Sequence, residues 1–565
     1  MKSVIQSHFH AVFCGLLIGA ASLLAAERGL CQSTSEPAVV ISIANIDEQL
    51  NDIEYLATAA SEEMGQMSGL IKMQAQGFTR GVDTKKPSGV LMYFSDESPE
   101  PTAVAFVPVQ NLDDLLDTIS GFAEVDEGDD IVTIIPDNGQ EISLKKVGNY
   151  AFVSDKPENL QNVPKDPAKL VGEMAGQYNV AATIFPQRIP ESLRQQAIDL
   201  IQLGYEQNLD MLDELEPMQA ELQQKNFEIQ MEQMENLFND TEEFVIGMAA
   251  DEKARTVYFD AIITSKPGSK MADQLAESKK AGRSKFSGFL MDGAAMTANM
   301  TTQITPDITE QYKSLFESAQ VGLGEVIDAD ENMDDAQVDM VNKLMDNMFD
   351  MINETVERGR MDMGAMLMTA DGKMNFVMGA EVAEPEKLED SLKEVAKMVE
   401  KDLKAGEEVQ FDLNAGSHRG TTFHEILIAV PDSEEEARNI LGDQVTLVVG
   451  IGKEAVYFGM GDDPESAMKK AMDKSAEASA SNEDTSMQFN LFLSPILKFA
   501  SGIQGAEMLE MMSDTLEAGG DRIQVRSDYI ENGVKTRFEI QDGVLQLIGA
   551  AGGLMGGLGG GGADF

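Results

Sequence analysis

One short phrase occurs twice in this chain. Residues 147–160 read VGNYAFVSDKPENL, and residues 451–467 read IGKEAVYFGMGDDPESA. Each has an apolar residue, a glycine in a turn, an apolar-aromatic run, an acidic turn, a Pro-Glu pair and the start of a helix. A strand-turn-strand-helix phrase written twice constrains the fold strongly, because it predicts two similar domains rather than one large core.

The match extends outward. Gly89-Val90-Leu91-Met92 and Ala105-Phe106-Val107-Pro108 predict one hairpin. Gly364-Ala365-Met366-Leu367, the turn signal Asp371-Gly372 and Asn375-Phe376-Val377-Met378 predict its counterpart. An acidic helix with leucines at helical spacing follows each, carrying Leu112, Leu115, Leu116 and Ile119 in one case and Leu388, Leu392 and Val395 in the other. Downstream, strands from Tyr178 and Met487 each lead through helices to a hairpin, from Phe244 and from Ile523, the second turning at Asn532-Gly533. Upstream, AVVISIANIDEQLNDI answers GAAMTANMTTQITPDITEQY.

This order predicts an α+β chain of two diverged copies of an antiparallel-sheet-plus-helices domain, residues 35–285 and 286–551, with a glycine-rich flexible tail at 552–565. The long helices are amphipathic and rich in methionine. Val341, Leu344, Met345, Met348, Ile352 and Val356 make one stripe, stopped by Gly359. Phe227, Met231, Met234 and Phe238 make another after a break at Pro217. On this reading the first copy carries its long helices after the repeated phrase, and the second carries them before its hairpin.

The first 26 residues have the form of a secretory signal peptide: Lys2, then the apolar run Ala11–Ala26. Cleavage as late as residue 33 is compatible with the sequence. Arg28-Gly29-Leu30 before Cys31 is a poor approach to a lipid-modified cysteine, so no lipid anchor is expected. Cys14 lies inside the apolar run, which leaves the mature chain one cysteine at most and no internal disulfide. The expectation is an exported protein, periplasmic or extracellular, with no integral membrane span in the mature chain.

With 43 Lys plus Arg against 97 Asp plus Glu, the net charge is -54. Such a surface repels phosphate backbones, and nucleic acid is not an expected partner. The expected partner is an unknown protein or a small apolar ligand.

Motifs that carry chemistry fare poorly. Gly450, Gly452 and Lys453 imitate a phosphate-binding loop, but a strand rather than a helix follows them, as in the other copy. Ser466 and Lys469 match a Ser-x-x-Lys pair without the other elements of penicillin-recognising enzymes. The only histidines of the mature chain, His418 and His424, would share one strand face, with Phe423 opposite, and are expected at the surface. Asp328, Asp330 and Asn332 begin a calcium-loop spacing, but Met333 stands where glycine is needed and Asp339 where a glutamate is usual. No catalytic, cofactor-binding or metal residue is assigned, and no cofactor is expected.

In its leader, acidity, scarcity of cysteine and histidine, and duplicated strand-helix plan, the chain resembles uncharacterised secreted proteins of planctomycete-type bacteria. The resemblance covers the whole chain as a style and carries no function or site. The expected role is binding or structural, in the cell envelope or outside it, and not enzymatic. The alternatives are a carrier holding an apolar ligand between sheet and helices, and a hydrolase built on carboxylates.

Overall fold

The computed structural model describes residues 36–559 apart from 97, 207–216, 329–334, 371, 401–408, 431–437, 439–441, 478–483, 505–508, 510, 511, 514, 515 and 517–519. The chain is mixed α+β and divides into two compact units. One is made of Met1–Ile201, Leu237–Lys266 and Glu539–Phe565, the other of Gln202–Asn236 and Pro267–Phe538.

The elements run β1 (Val39–Ile43), α1 (Ile46–Ala60), α2 (Glu62–Phe78), β2 (Ser88–Ser95), β3 (Ser98–Pro108), α3 (Leu112–Ile119), β4 (Ala123–Glu127), β5 (Val132–Pro136), β6 (Ile142–Val147), β7 (Tyr150–Ser154), α4 (Ala168–Ala175), β8 (Val180–Ile184), α5 (Glu191–Glu206), α6 (Pro217–Asp240), β9 (Thr241–Asp251) and β10 (Thr256–Ser265). They continue with α7 (Lys270–Ser278), β11 (Met296–Gln303), α8 (Pro306–Asp328), α9 (Asp335–Glu357), β12 (Arg360–Ala370), β13 (Lys373–Glu381), α10 (Glu386–Val399), β14 (Val409–His418), β15 (Thr421–Ala429), β16 (Gln444–Ile451), β17 (Ala455–Gly461), α11 (Pro464–Glu477), β18 (Thr485–Phe492), α12 (Leu493–Gln504), β19 (Arg522–Ile530), β20 (Gly533–Gln541) and α13 (Asp542–Gly559). Helix α13 runs into the stretch expected as a glycine-rich tail.

In the first unit antiparallel pairing joins the strands in the order β4-β5-β6-β7-β3-β2-β1-β8-β9-β10. In the second the order is β14-β15-β16-β17-β13-β12-β11-β18-β19-β20. The two orders agree strand for strand. Gly148 turns β6 into β7 and Gly452 turns β16 into β17, so both repeated phrases form the same hairpin of their sheets.

Part of each sheet is packed on both sides, around β2, β3 and β7 in the first unit and around β15, β16 and β17 in the second. Leu115, Leu116 and Ile119 of α3 press on Ile134, Leu144, Ala151 and Val153. Asn111 caps that helix by accepting from the Asp113 N–H at 3.1 Å. On the opposite side Leu91, Phe106, Phe152, Leu160 and Val171 of α4 form a second cluster. The second unit repeats the arrangement: Leu392 of α10 lies on Ile426, Val449 and Ile451. Across its sheet, Met468, Ala471 and Met472 of α11 cover Met366, Val377, Phe423 and Val448. Each fully buried Leu, Ile, Val, Phe or Met among them contributes roughly 1.5–3 kcal/mol.

The structure corrects the expected helix placement. The first unit has a helix pair, α1 and α2, between β1 and β2, where the second unit has α8 and α9. Helix α2 was not anticipated: Gly65, Gly69 and Gly77 lower its propensity, and its apolar residues Met64, Met67, Leu70 and Met73 are exposed rather than packed. The stripe along α9 is as expected, with Met345 and Val356 buried and Gly359 left-handed at φ 79°. Among the described residues no helix is long and apolar enough to cross a membrane.

Candidate apolar binding face

Successive strand residues point to opposite sides of a sheet, and one side of the first unit is apolar across five strands. From β2 through β1, β8 and β9 to β10, the first row reads Met92, Val39, Ile184, Phe244, Ile263. The next rows read Val90, Ile41, Ala182, Ile246, Ala261, and then Ser88, Ile43, Val180, Met248, Phe259. Only Ser88 interrupts them.

This side is incompletely covered. Val180 is 39% exposed, Ile246 48% and Phe259 41%. An antiparallel sheet with water on one face normally carries polar residues there, and contiguous exposed apolar surface marks a place of contact. With strands about 4.8 Å apart and same-side residues about 6.7 Å apart, the three rows span roughly 19 by 13 Å.

The second unit has a counterpart on β13, β12, β11, β18 and β19. Its rows are Phe376, Leu367, Met296, Leu491, Ile523, then Met378, Ala365, Ala298, Phe489, Val525, then Ala380, Met363, Met300, Met487, Ser527. All but the buried Ser527 are partly exposed. Where strand β12 ends, a cavity of about 650 Å³ opens between Thr369, Phe499 and Asp521.

The buried acids are held in place by donors at junctions between elements. Asp260 accepts from the Tyr178 hydroxyl at 2.8 Å. Asp362 accepts from Ser284 at 2.5 Å, from the Lys285 N–H at 2.8 Å and from Arg360 at 2.9 Å. Burial pushes the Asp362 carboxyl above its ordinary pKa against those bonds. Asp542, at the start of α13, accepts from the Tyr55 hydroxyl and from Arg255 Nε at 2.9 Å. Burial, and then the bond to Asp542, raises the Tyr55 hydroxyl above the usual tyrosine range. These contacts fasten α13 and the β9–β10 turn to α1.

The histidines depart from expectation. Arg419 and Gly420, both with positive φ, close a two-residue turn that pairs His418 with Thr421. Paired residues share a side, so His418 lies on the side of Phe423, and its Nε2 is 2.8 Å from Asp473 of α11. His424 lies on the other side, fully buried beneath α10, its Nδ1 accepting from the Asn414 N–H at 3.4 Å. Its Nε2 has no hydrogen-bond partner. The alternation that would have aligned the two rings is interrupted by the turn between them.

The remaining motifs are placed plainly. Gly450 lies in β16 and Gly452 in the turn before β17, which is a hairpin. Lys469 pairs with Glu465 at 2.5 Å and lies 5.5 Å from the centre of the Phe423 ring. The calcium-like spacing falls largely on 329–334 and lies outside the described residues, as do Cys14 and Cys31. Among the described residues no group of three or more His, Cys, Asp or Glu side chains is arranged to hold a metal ion.

Sequence reading missed the open apolar side. VVISI, VAATI and FVIGMAA are apolar at nearly every position, the signature of strands buried on both faces. Only the pairing register shows that one of those faces is partly bare. Compared with known proteins, the chain matches no family model, no curated sequence and no solved structure.

Proposed function

We propose that this chain is a non-enzymatic binding protein that carries a long-chain apolar ligand on the open sides of its sheets. The observation that carries the reading is the three-row, five-strand apolar surface around Ile246, in which Ser88 is the one polar residue among the fifteen positions and Val180, Ile246 and Phe259 are exposed. An acyl chain fits it because such a surface offers dispersion contact and removal from water but few hydrogen-bonding groups. An export leader fits a carrier of this kind, and the chain's acidity would keep a protein with so much bare apolar surface apart from its copies.

The two units are proposed to be diverged copies of one ancestral domain. The matching strand orders and the placement of both repeated phrases in equivalent hairpins support this. A duplicated carrier would hold two ligands, one per unit.

The test is equilibrium binding of diphenylhexatriene, an uncharged probe that fluoresces in apolar surroundings, to the purified protein. Saturable binding at up to two probes per chain, displaced by single-chain lipids, is expected. Fluorescence that rises without saturation, or none, would overturn the reading.

A further inference from the structure

The cavity of the second unit continues its apolar rows. Thr369 lies two residues beyond Leu367 on β12, so its side chain stands on the same side, and it lines the cavity with Phe499 of α12. Ser494, Lys498 and Asp521 also line it. The Asp521 carboxylate accepts from the Ser494 N–H at 3.0 Å and so caps α12. Thr369 donates to the Pro495 carbonyl at 3.0 Å. The Ser494 hydroxyl, in a residue only 4% exposed, has no hydrogen-bond partner. Lys498 follows Ser494 by one helical turn and lies on the same side of α12.

A volume of this size, bordered by a lysine and an aspartate, is that of a ligand site. We propose that the cavity takes the head of a single-chain amphiphile whose head is uncharged and hydroxylated, a monoacylglycerol being the simplest. Its acyl chain would lie along Leu367, Met296 and Leu491. The head is uncharged because the cavity itself brings one ammonium and one carboxylate, and a chain of net charge -54 repels an anionic amphiphile. It is hydroxylated because a hydroxyl can accept from Lys498 and donate to Asp521. The inference rests on the apolar-carrier reading and specifies its ligand.

The chain contains no tryptophan, so a single introduced one reports its own surroundings. Phe499→Trp places it in the cavity, with Phe492→Trp as the second reporter should the first fail to fold. Phe259→Trp places it on the open side of the first unit. The probe is a monoacylglycerol brominated on its acyl chain near the head, which quenches indole on contact. Saturable quenching in the cavity variant is expected, with at least tenfold weaker quenching by the correspondingly brominated fatty acid. Equal response to the two lipids would overturn the choice of head. Quenching of the Phe259→Trp variant alone would overturn the cavity site while sparing the carrier. Absence of quenching in both would overturn the two together.

Discussion

Gly89 and Phe106 face each other across β2 and β3, and a Cβ on Gly89 would stand 2.9 Å from Cζ of the Phe106 ring. The ring fills the space that the missing side chain leaves. At the equivalent positions of the second unit, Gly364 faces Gly379, and both are glycine. There the ring comes from elsewhere: Phe286, before β11, lies over both, its ring carbons 2.8–2.9 Å from where a Cβ on Gly379 would be and its own Cβ 2.8 Å from where one on Gly364 would be. Its ring lies tilted at 5.8 Å from that of Tyr457, as the Phe106 ring does at 6.2 Å from that of Phe152. One aromatic plug is thus supplied from a strand in one unit and from the preceding segment in the other.

Phe286→Ala is therefore expected to destabilise the second unit by about 3–5 kcal/mol, as loss of a buried phenylalanine does. Gly379→Ala adds a methyl 2.7 Å from the Tyr457 ring and is expected to cost about 1–3 kcal/mol through overpacking. Urea titration monitored by tyrosine fluorescence would measure both. A change below about 0.5 kcal/mol in either variant would contradict the plug.

His424 predicts a pH dependence. Its burial lowers the ring's pKa, partly opposed by Glu389 and reinforced by Lys393, which pair with each other at 2.6 Å on α10. The folded state therefore holds the neutral ring, while the unfolded ring titrates at about 6.5. The contribution is full above that pH and is lost as pH falls through the lowered folded-state pKa. The urea midpoint of the native chain should drop further than that of His424→Asn between pH 7.5 and pH 5.5. Parallel curves for the two proteins would remove His424 from the account.

The open side of the first unit can be altered without touching the core. Ile246→Lys and Phe259→Lys replace exposed residues, so each is expected to change stability by less than about 1 kcal/mol. Each should lower diphenylhexatriene binding several-fold, because a lysine in the rows breaks the apolar surface. Unchanged probe binding in the double variant, with folding checked by circular dichroism, would argue that the probe sits elsewhere.

Charge predicts a salt effect. The net charge of -54 makes self-repulsion a destabilising contribution that counter-ions screen. Raising sodium chloride from 10 mM to 0.5 M should raise the midpoint of thermal unfolding by several degrees, roughly 1–2 kcal/mol of stability. A flat or falling midpoint would mean that the attractive ion pairs, such as Lys387 with Glu354 at 2.6 Å, outweigh the repulsion.

The α+β class, the hairpins around Leu91 and Met366, and the stripes on α3, α9 and α10 were legible in the sequence. Each is a local pattern: a glycine turn between apolar runs, or apolar residues at helical spacing capped by asparagine or stopped by glycine. The repeated phrase added the expectation of two similar units. Tertiary structure alone decided which side of each residue matters. The two-residue turn at Arg419-Gly420 sent His418 and His424 to opposite sides of the sheet. The register of β8 against β1 and β9 aligned Val180, Ile246 and Phe259 on an open side, although strands apolar at every position carry no mark of which side stays bare. Burial is a property of what the rest of the chain places above a residue, and in β8 and β9 that information is nonlocal.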